Sequence, residues 1–173
     1  MMSVTRAFTS LFAMLDYDIT TQITENTLCC LLVDKEEIGS VGATGMQSRF
    51  FENAVAELVA ATEKDSNILV RRALANSRML SSDVSAGFDP LYASAFEKKN
   101  ASYFGRGMVF SKFTGSRGKS GSNDANAEYM GELRGIMDKH HVFYQTAELG
   151  KVDFGGGGTI AYILSLYGME VID

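Results

Sequence analysis

The stretch Leu31-Leu32-Val33-Asp34-Lys35-Glu36-Glu37-Ile38-Gly39-Ser40 sets an apolar run against two adjacent carboxylates and a glycine turn. Open α/β sheets place their chemistry at the C-terminal tips of apolar strands, and acids delivered there are well placed to act. On an extended segment neighbouring side chains point to opposite sides. Glu36 and Glu37 are therefore expected to face different ways, one free to bind a metal and the other to carry a proton. The plain alternative is a charged strand end paired with Lys35, and adjacent acids are common enough that the pair alone decides nothing.

Working outward, helical and extended segments alternate. Residues 27–33 are short, continuously apolar and ended by charge, which predicts a buried strand carrying Cys29 and Cys30 as buried thiols. Phe8, Leu11, Phe12 and Leu15 recur at helical spacing, so a first helix covers residues 1–15. Phe51, Val55, Leu58 and Val59 form one face of a second helix, and a third includes residues 68–75. Residues 79–83, 108–113, 142–146 and 169–172 read as further strands. Between them, residues 115–123 read as a Gly- and Ser-rich loop ending at Asp124, a natural N-cap for the helix marked by Met130, Leu133, Ile136 and Met137. Gly155, Gly156, Gly157 and Gly158 precede a helix over 159–166. This alternation predicts an α/β fold, a three-layer sandwich with a central, mostly parallel twisted sheet flanked by helices. The chain stops on the strand Val171-Ile172-Asp173, so the domain is expected to be incomplete.

At 173 residues the chain suits one domain with a real core, and 46% hydrophobic with 21% charged residues is ordinary for a globular protein. Sixteen basic against twenty-one acidic residues give a net charge of -5, which argues against nucleic-acid binding. Lys98-Lys99 and the Arg117/Lys119 pair read as solvated surface. Adjacent cysteines exclude a C-x-x-C metal or redox motif, and a reducing cytoplasm is expected. No apolar run approaches the ~18 residues of a membrane span. The apolar segment from Ala7 to Leu15 reads as a helix rather than a signal-peptide core, because it lacks a strong basic leader and a cleavage site.

Asp83 follows Ser81 and Ser82 at the tip of the next predicted strand. Neighbouring tips of a parallel sheet lie close together, so Asp83 could join Glu37 at a metal; a turn cap is the plain reading. His140 and His141 are the only histidines. They fall at a predicted helix C-terminus, where a partly positive side chain is favoured by charge alone, and read as solvated caps. The four glycines could offer backbone N–H groups to an anion or a peptide carbonyl. A dinucleotide fingerprint fails at Ile160 when started from Gly155 and reaches only Ala161 from Gly156. Gly118-Lys119-Ser120 imitates a phosphate loop, but Phe113 stands where glycine is needed. Nucleotide binding is thus a weak reading, and close packing of the backbone explains the glycines better.

Taken together, three ordered blocks resemble a known family. Asp34-Lys35-Glu36-Glu37-Ile38-Gly39-Ser40 is similar to the D-x-E-E-[IV]-G-S motif of the aspartyl aminopeptidase and aminopeptidase I family of dinuclear zinc exopeptidases. Ser81-Ser82-Asp83-Val84-Ser85-Ala86 resembles its S-x-D-[MV] metal-ligand block, and Gly157-Gly158-Thr159-Ile160-Ala161 its G-[ST]-T-I pocket segment. The resemblance implies a cytoplasmic metallo-aminopeptidase, a hydrolase that uses two zinc ions to release the N-terminal residue of a peptide substrate. It implies Glu36 as general base, Glu37 and Asp83 as zinc ligands, and Lys112, Asp153, Gly157 and Thr159 around the substrate. A homo-oligomer is implied for the full-length parent, with no nucleic-acid or membrane partner.

The departures shape the expectation for this chain. The family's first histidine ligand, bridging aspartate and last histidine ligand flank the region represented, and the stretch Met1-Met2-Ser3-Val4-Thr5-Arg6 holds no acid where the bridge is expected. Residues 1–173 are thus expected to be a partial catalytic domain without the inserted oligomerisation domain, weak or inactive alone. The alternative is a non-catalytic truncated paralogue acting as an assembly module. Ala86 and Asp89 replace the two histidines of acid-specific relatives, so neutral N-terminal residues are expected at least as readily as acidic ones.

Overall fold

The pivot of the architecture is β5 (Glu170–Ile172), which pairs in parallel with β1 (Arg78–Leu80) in the register Arg78–Glu170, Met79–Val171 and Leu80–Ile172. In this computed structural model, which describes residues 2–17, 25–62, 67–117, 120–151, 153–154 and 156–173, the alternation along β5 defines the layers. Val171 sits in an apolar cluster with Met46, Val70, Leu74, Ala161 and Leu164. Its neighbour Ile172 sits in another, with Phe110, Tyr129, Met130 and Leu133. Successive side chains of a strand leave by opposite faces, so the two clusters lie on opposite sides of the sheet. α2 (Phe50–Thr62), α3 (Asn67–Ala75) and α5 (Ala161–Ser165) furnish the first cluster, and α4 (Ala127–Lys139) the second.

A second sheet centres on β2 (Met108–Ser116), flanked by β3 (Ser120–Asp124) antiparallel and β4 (Tyr144–Glu148) parallel. The Ser111 N–H donates to the Asp173 carbonyl at 2.7 Å and so couples the two sheets. The expected α/β class with parallel strands between helices is therefore found, with β3 as an antiparallel addition. Arg78 ties β1 to its surroundings: its guanidinium donates to Glu132 and Glu170, each at 2.6 Å, and lies 5.3 Å from the Tyr129 ring centre.

Several sequence expectations are corrected. Within the stretch 115–123 expected to be a loop, residues 115–116 and 120–123 belong to the antiparallel pair β2–β3. Gly115 makes this possible, since a Cβ there would stand 2.4 Å from Ser122 Oγ. Asp124 lies within β3, and the N-cap of α4 is Asn126, whose side chain accepts from the N–H groups of Glu128 and Tyr129 at 2.8 and 3.0 Å. Gly118 and Lys119 of the imitated phosphate loop, and Gly155 of the glycine run, lie outside the described residues.

The largest correction concerns residues 27–33, which form no strand. A strand exists only as one side of a ladder, and among the described residues none is laid beside this run. It gains a bridge only at its end, where Asp34 meets Gly45. Leu31 and Val33 still pack against the first cluster, but Leu28 is 45% and Leu32 58% exposed, Cys29 is exposed and Cys30 half-buried. α1 (Met2–Leu15) forms as its periodicity predicts, yet its aromatic face is not covered: Phe8 and Phe12 stack on each other at 4.1 Å between ring centres and are 55% and 50% exposed. On α2, Phe51, Val55 and Val59 pack inward while Leu58 faces out.

Candidate functional site

Glu36 and Glu37 do not stand on an extended tip. They open a single 3-10 turn, Glu36–Ile38, bounded by left-handed residues: Lys35 at φ 67, Gly39 at φ 83 and Ser40 at φ 60. Side chains on such a turn are set about 120° apart rather than on opposite faces. The turn is held from both ends. The Asp34 carboxylate accepts from the Lys35 N–H at 2.7 Å and from Thr44 Oγ1 at 3.3 Å, and Gln47 Nε2 donates to the Gly39 carbonyl at 2.7 Å. Gly45 closes against it, because a Cβ there would meet the Ser40 carbonyl oxygen at 2.2 Å. The glycine and the two left-handed non-glycine residues mark a geometry imposed by its surroundings.

This turn brings Glu36 to Asp83. The Glu36 carboxyl is raised above the usual glutamate range, first by burial and then by the negative charges of Asp83 and Glu37, with the Arg6 guanidinium opposing. Glu36 is half-buried and Glu37 exposed. Asp83 lies beyond β1 and is ion-paired to Arg6 of α1; its Oδ1 also accepts from the Val84 N–H at 2.6 Å.

A third acid joins them. Asp173 accepts from Ser81 Oγ at 2.5 Å, and the Ser81 N–H donates to the Ile172 carbonyl at 2.8 Å. The Asp173 carboxyl is pushed up to about 6, chiefly by burial and further by Asp83, against the pull of Ser81, Thr159 and Arg6. Thr159, predicted near the substrate, is 5% exposed and hydrogen-bonded to this carboxyl. Its Oγ1 also accepts from the Ala161 N–H at 3.2 Å, at the start of α5.

The other predicted residues are placed as follows. Gly157 runs beside β2, its carbonyl accepting from the Gly115 N–H at 3.1 Å. Gly156, at φ +92, approaches so closely that a Cβ would stand 2.3 Å from the Gly115 carbonyl oxygen, the close backbone packing expected of the glycine run. Lys112 is engaged by Asp124 and donates to the Ala125 carbonyl at 2.8 Å. Asp153 is exposed. Asp89 caps the short 3-10 segment Pro90–Ala95, accepting from the Leu91 N–H at 2.8 Å.

Two contributors escaped the sequence reading, Arg6 and Asp173, while Ser81 entered it only as part of the block around Asp83. An acid directly after a short apolar strand is the signal that singled out Asp83, and it applies equally to Asp173. Arg6 carries no comparable local mark.

The donor set can be tested against a metal. Among the described residues no group of three or more His, Cys, Asp or Glu side chains converges as a metal site requires. The side chains that do meet are carboxylates, with an arginine on one of them, and both histidines are exposed at the end of α4. Zinc sites draw four donors and commonly an imidazole or thiolate. By themselves these residues do not fit a zinc ion. Nor is any described helix long and apolar enough to cross a membrane.

Comparison with known proteins places the arrangement in context. The family model described as aminopeptidase I zinc metalloprotease (M18) matches residues 3–173. A probable M18 family aminopeptidase 1 of Clostridium acetobutylicum is 59% identical over 167 residues, covering 96% of this chain and 35% of the relative. The Thermotoga maritima counterpart is 39% identical over 168 residues, covering 96% and 36%. The chain thus spans about a third of the length of these relatives. The crystal structure of aminopeptidase I from C. acetobutylicum superposes with a TM-score of 0.76, over 96% of this chain and 35% of that one at 59% identity. Yeast aminopeptidase 1, 21% identical, matches with a TM-score of 0.69 over 99% of this chain and 36% of that one, a likeness of fold.

Proposed function

The chain belongs to the aminopeptidase I zinc metalloprotease family, and from that membership we propose that residues 1–173 are part of the catalytic domain of a cytoplasmic aminopeptidase that removes N-terminal residues from peptides. The observation that carries this reading is that Asp83, far from Glu36 in sequence, lies near enough for its charge to act on both Glu36 and Asp173, the latter bonded to Thr159. Glu36 is the general base. A carboxylate whose proton affinity is raised by burial and by neighbouring acids is better matched to taking a proton from water than an ordinary surface glutamate. Its turn, braced by Asp34 and Gln47, fixes where that proton is received.

Glu37 and Asp83 are this chain's proposed contribution to the ligands of the family's two zinc ions, which would polarise a scissile carbonyl and lower the pKa of a bound water. The described residues do not complete that set, so the remaining donors must come from outside them. Thr159 and Gly157 line the pocket for the substrate's first residue, with Lys112 and Asp153 at its margin. With Asp89 acting as a cap rather than a recognition group, neutral N-terminal residues are accepted. The full-length parent is a homo-oligomer, as a dodecamer known for a yeast relative suggests.

Two assays test the reading. The isolated chain, supplied with zinc, should show at most feeble chelator-sensitive hydrolysis of a neutral aminoacyl anilide. A chimera in which residues 3–173 replace the matching segment of the C. acetobutylicum relative should be active, and Glu36→Gln in it should lower kcat by about 10²–10⁴-fold. A folded but inactive chimera, or one indifferent to Glu36→Gln, contradicts the assignment.

A second reading rests on the exposed Phe8 and Phe12 of α1 and on the run 27–33, which pairs with no strand among the described residues: a non-catalytic assembly module. Light scattering with metal analysis separates the two, since a metal-free oligomer of fixed stoichiometry favours the module.

A further inference from the structure

The segment running from Lys98 to Arg106 is fastened along β4. The Glu148 N–H donates to the Asn100 carbonyl at 2.8 Å. Gln145 clamps the backbone of Tyr103, its Oε1 accepting from the Tyr103 N–H at 2.9 Å and its Nε2 donating to the Tyr103 carbonyl at 3.0 Å. The Tyr103 hydroxyl in turn donates to the Lys98 carbonyl at 3.2 Å. Between this segment and β4 opens a cleft of about 650 Å³, within the size range of small-molecule sites. Its walls include Lys98, Lys99, Arg106, Tyr103, Tyr144 and Gln145, and no carboxylate lines it. Among the described residues, none of the three cations has an acid within ion-pair distance. In a chain of net charge -5 this is a local reversal of sign. Ring faces hold two of the cations instead: Arg106 lies 4.9 Å from the Tyr103 ring centre and Lys98 Nζ 5.6 Å from that of Phe88, with the two rings themselves 5.6 Å apart. A ring orients a cation without neutralising it. Gly107, at φ +91, then packs so closely on the start of β4 that a Cβ would stand 2.1 Å from the Phe143 carbonyl oxygen, which fixes the backbone directly after Arg106. Arg134 donates to the Tyr144 hydroxyl at 3.2 Å and adds positive charge behind that wall.

We propose that this cleft binds a multivalent anion, a phosphate-bearing small molecule, through Lys98, Lys99 and Arg106. Three cationic donors around one cleft match the several oxygens and the double charge of a phosphate group, which an arginine meets with two parallel N–H groups and a lysine as a point charge. A lone carboxylate would answer only one of the three. A long nucleic-acid strand is a poorer fit, because the charge beyond the cleft is net acidic and offers its backbone no continuing path. The cleft shares no residue with the Glu36 turn, Asp83, Thr159 or the glycine segment. It is therefore a second site, and its occupancy stands or falls independently of the aminopeptidase reading.

Calorimetric titration of the intact chain at low salt, with pyrophosphate and separately with a triglutamate peptide, tests this. The proteins are wild type, Lys98→Gln, Arg106→Gln, the Lys98→Gln/Arg106→Gln double variant and, as control, Arg71→Gln, which removes an exposed arginine of α3. Wild type should bind a single pyrophosphate in preference to the peptide. Each cleft substitution removes a charge-assisted hydrogen bond and should weaken binding about tenfold. The double variant should lose binding, and Arg71→Gln should match wild type. No binding at millimolar pyrophosphate overturns the proposal. So does a loss in Arg71→Gln equal to that in Arg106→Gln, the mark of diffuse attraction to charge. Tighter binding of triglutamate than of pyrophosphate overturns the phosphate class in favour of an acidic peptide. Should the cleft variants not fold, the wild type answers alone: the backbone amide resonances of residues 98–106 and 144–146 must shift as pyrophosphate is added, and saturation while they stand still overturns the site.

Discussion

Asp173→Asn isolates one ionisation with a definite sign. Burial lifts the Asp173 carboxyl from 3.8 to about 6 in the folded chain. In the interval between those values the folded state holds a proton that the unfolded chain has released, so stability falls as pH rises through it. The penalty is absent below the unfolded value and complete above about pH 6. The difference between 3.8 and about 6 converts to about 3 kcal/mol. Asparagine has no proton to lose, and its carbonyl oxygen can still accept from Ser81 Oγ. Glu36 titrates in both proteins and cancels in the comparison. Urea unfolding of wild type and variant at a series of pH values between about 4 and 7.5 reads the effect directly. The variant should gain on the wild type across the interval and exceed it by up to about 3 kcal/mol near neutrality. For a chain of this size that is roughly 6–12 °C in Tm. A difference that does not change with pH, or a variant less stable than wild type at neutral pH, would mean that the carboxyl is not held as argued.

Two further outcomes follow from packing. Leu74, 2% exposed in the first core cluster, should cost about 2–5 kcal/mol on Leu74→Ala, measured by urea denaturation; a loss under about 1 kcal/mol would place it outside the core. Gly156→Ala forces a side chain into left-handed backbone against the Gly115 carbonyl and should lower stability by about 1–3 kcal/mol. An unchanged unfolding midpoint would show that the two backbones are not in contact.

Elements whose evidence is local were legible in the sequence. α1, α4 and β2 carry their periodicity within themselves and form where it says. Residues 27–33 carry an equally clear apolar signal, but a strand is completed by its neighbour, and no property of the run itself reveals whether one is present. The turn at Glu36 was half visible: Gly39 announces a left-handed position, whereas Lys35 at φ 67 does not, because lysine rarely adopts that geometry unforced. The acids of the cluster were found where each closed an apolar run, except Asp173, which the same rule would have caught. Arg6 was illegible for a different reason. An arginine on a helix looks like any solvated charge until the fold delivers an acid from 77 residues away.

The run at 27–33, laid beside no strand among the described residues, also bears on how the chain behaves in bulk. With Leu28 and Leu32 exposed, it offers apolar side chains to any extended chain it meets. Encounters between two such edges grow with the square of concentration, while folding within one chain does not depend on concentration at all. Crowding is therefore expected to favour association through this run. What stands directly after it is Asp34-Lys35-Glu36-Glu37, a block of charge of the kind that keeps sticky strands apart. Neutralising these charges is therefore expected to show first as turbidity at high concentration.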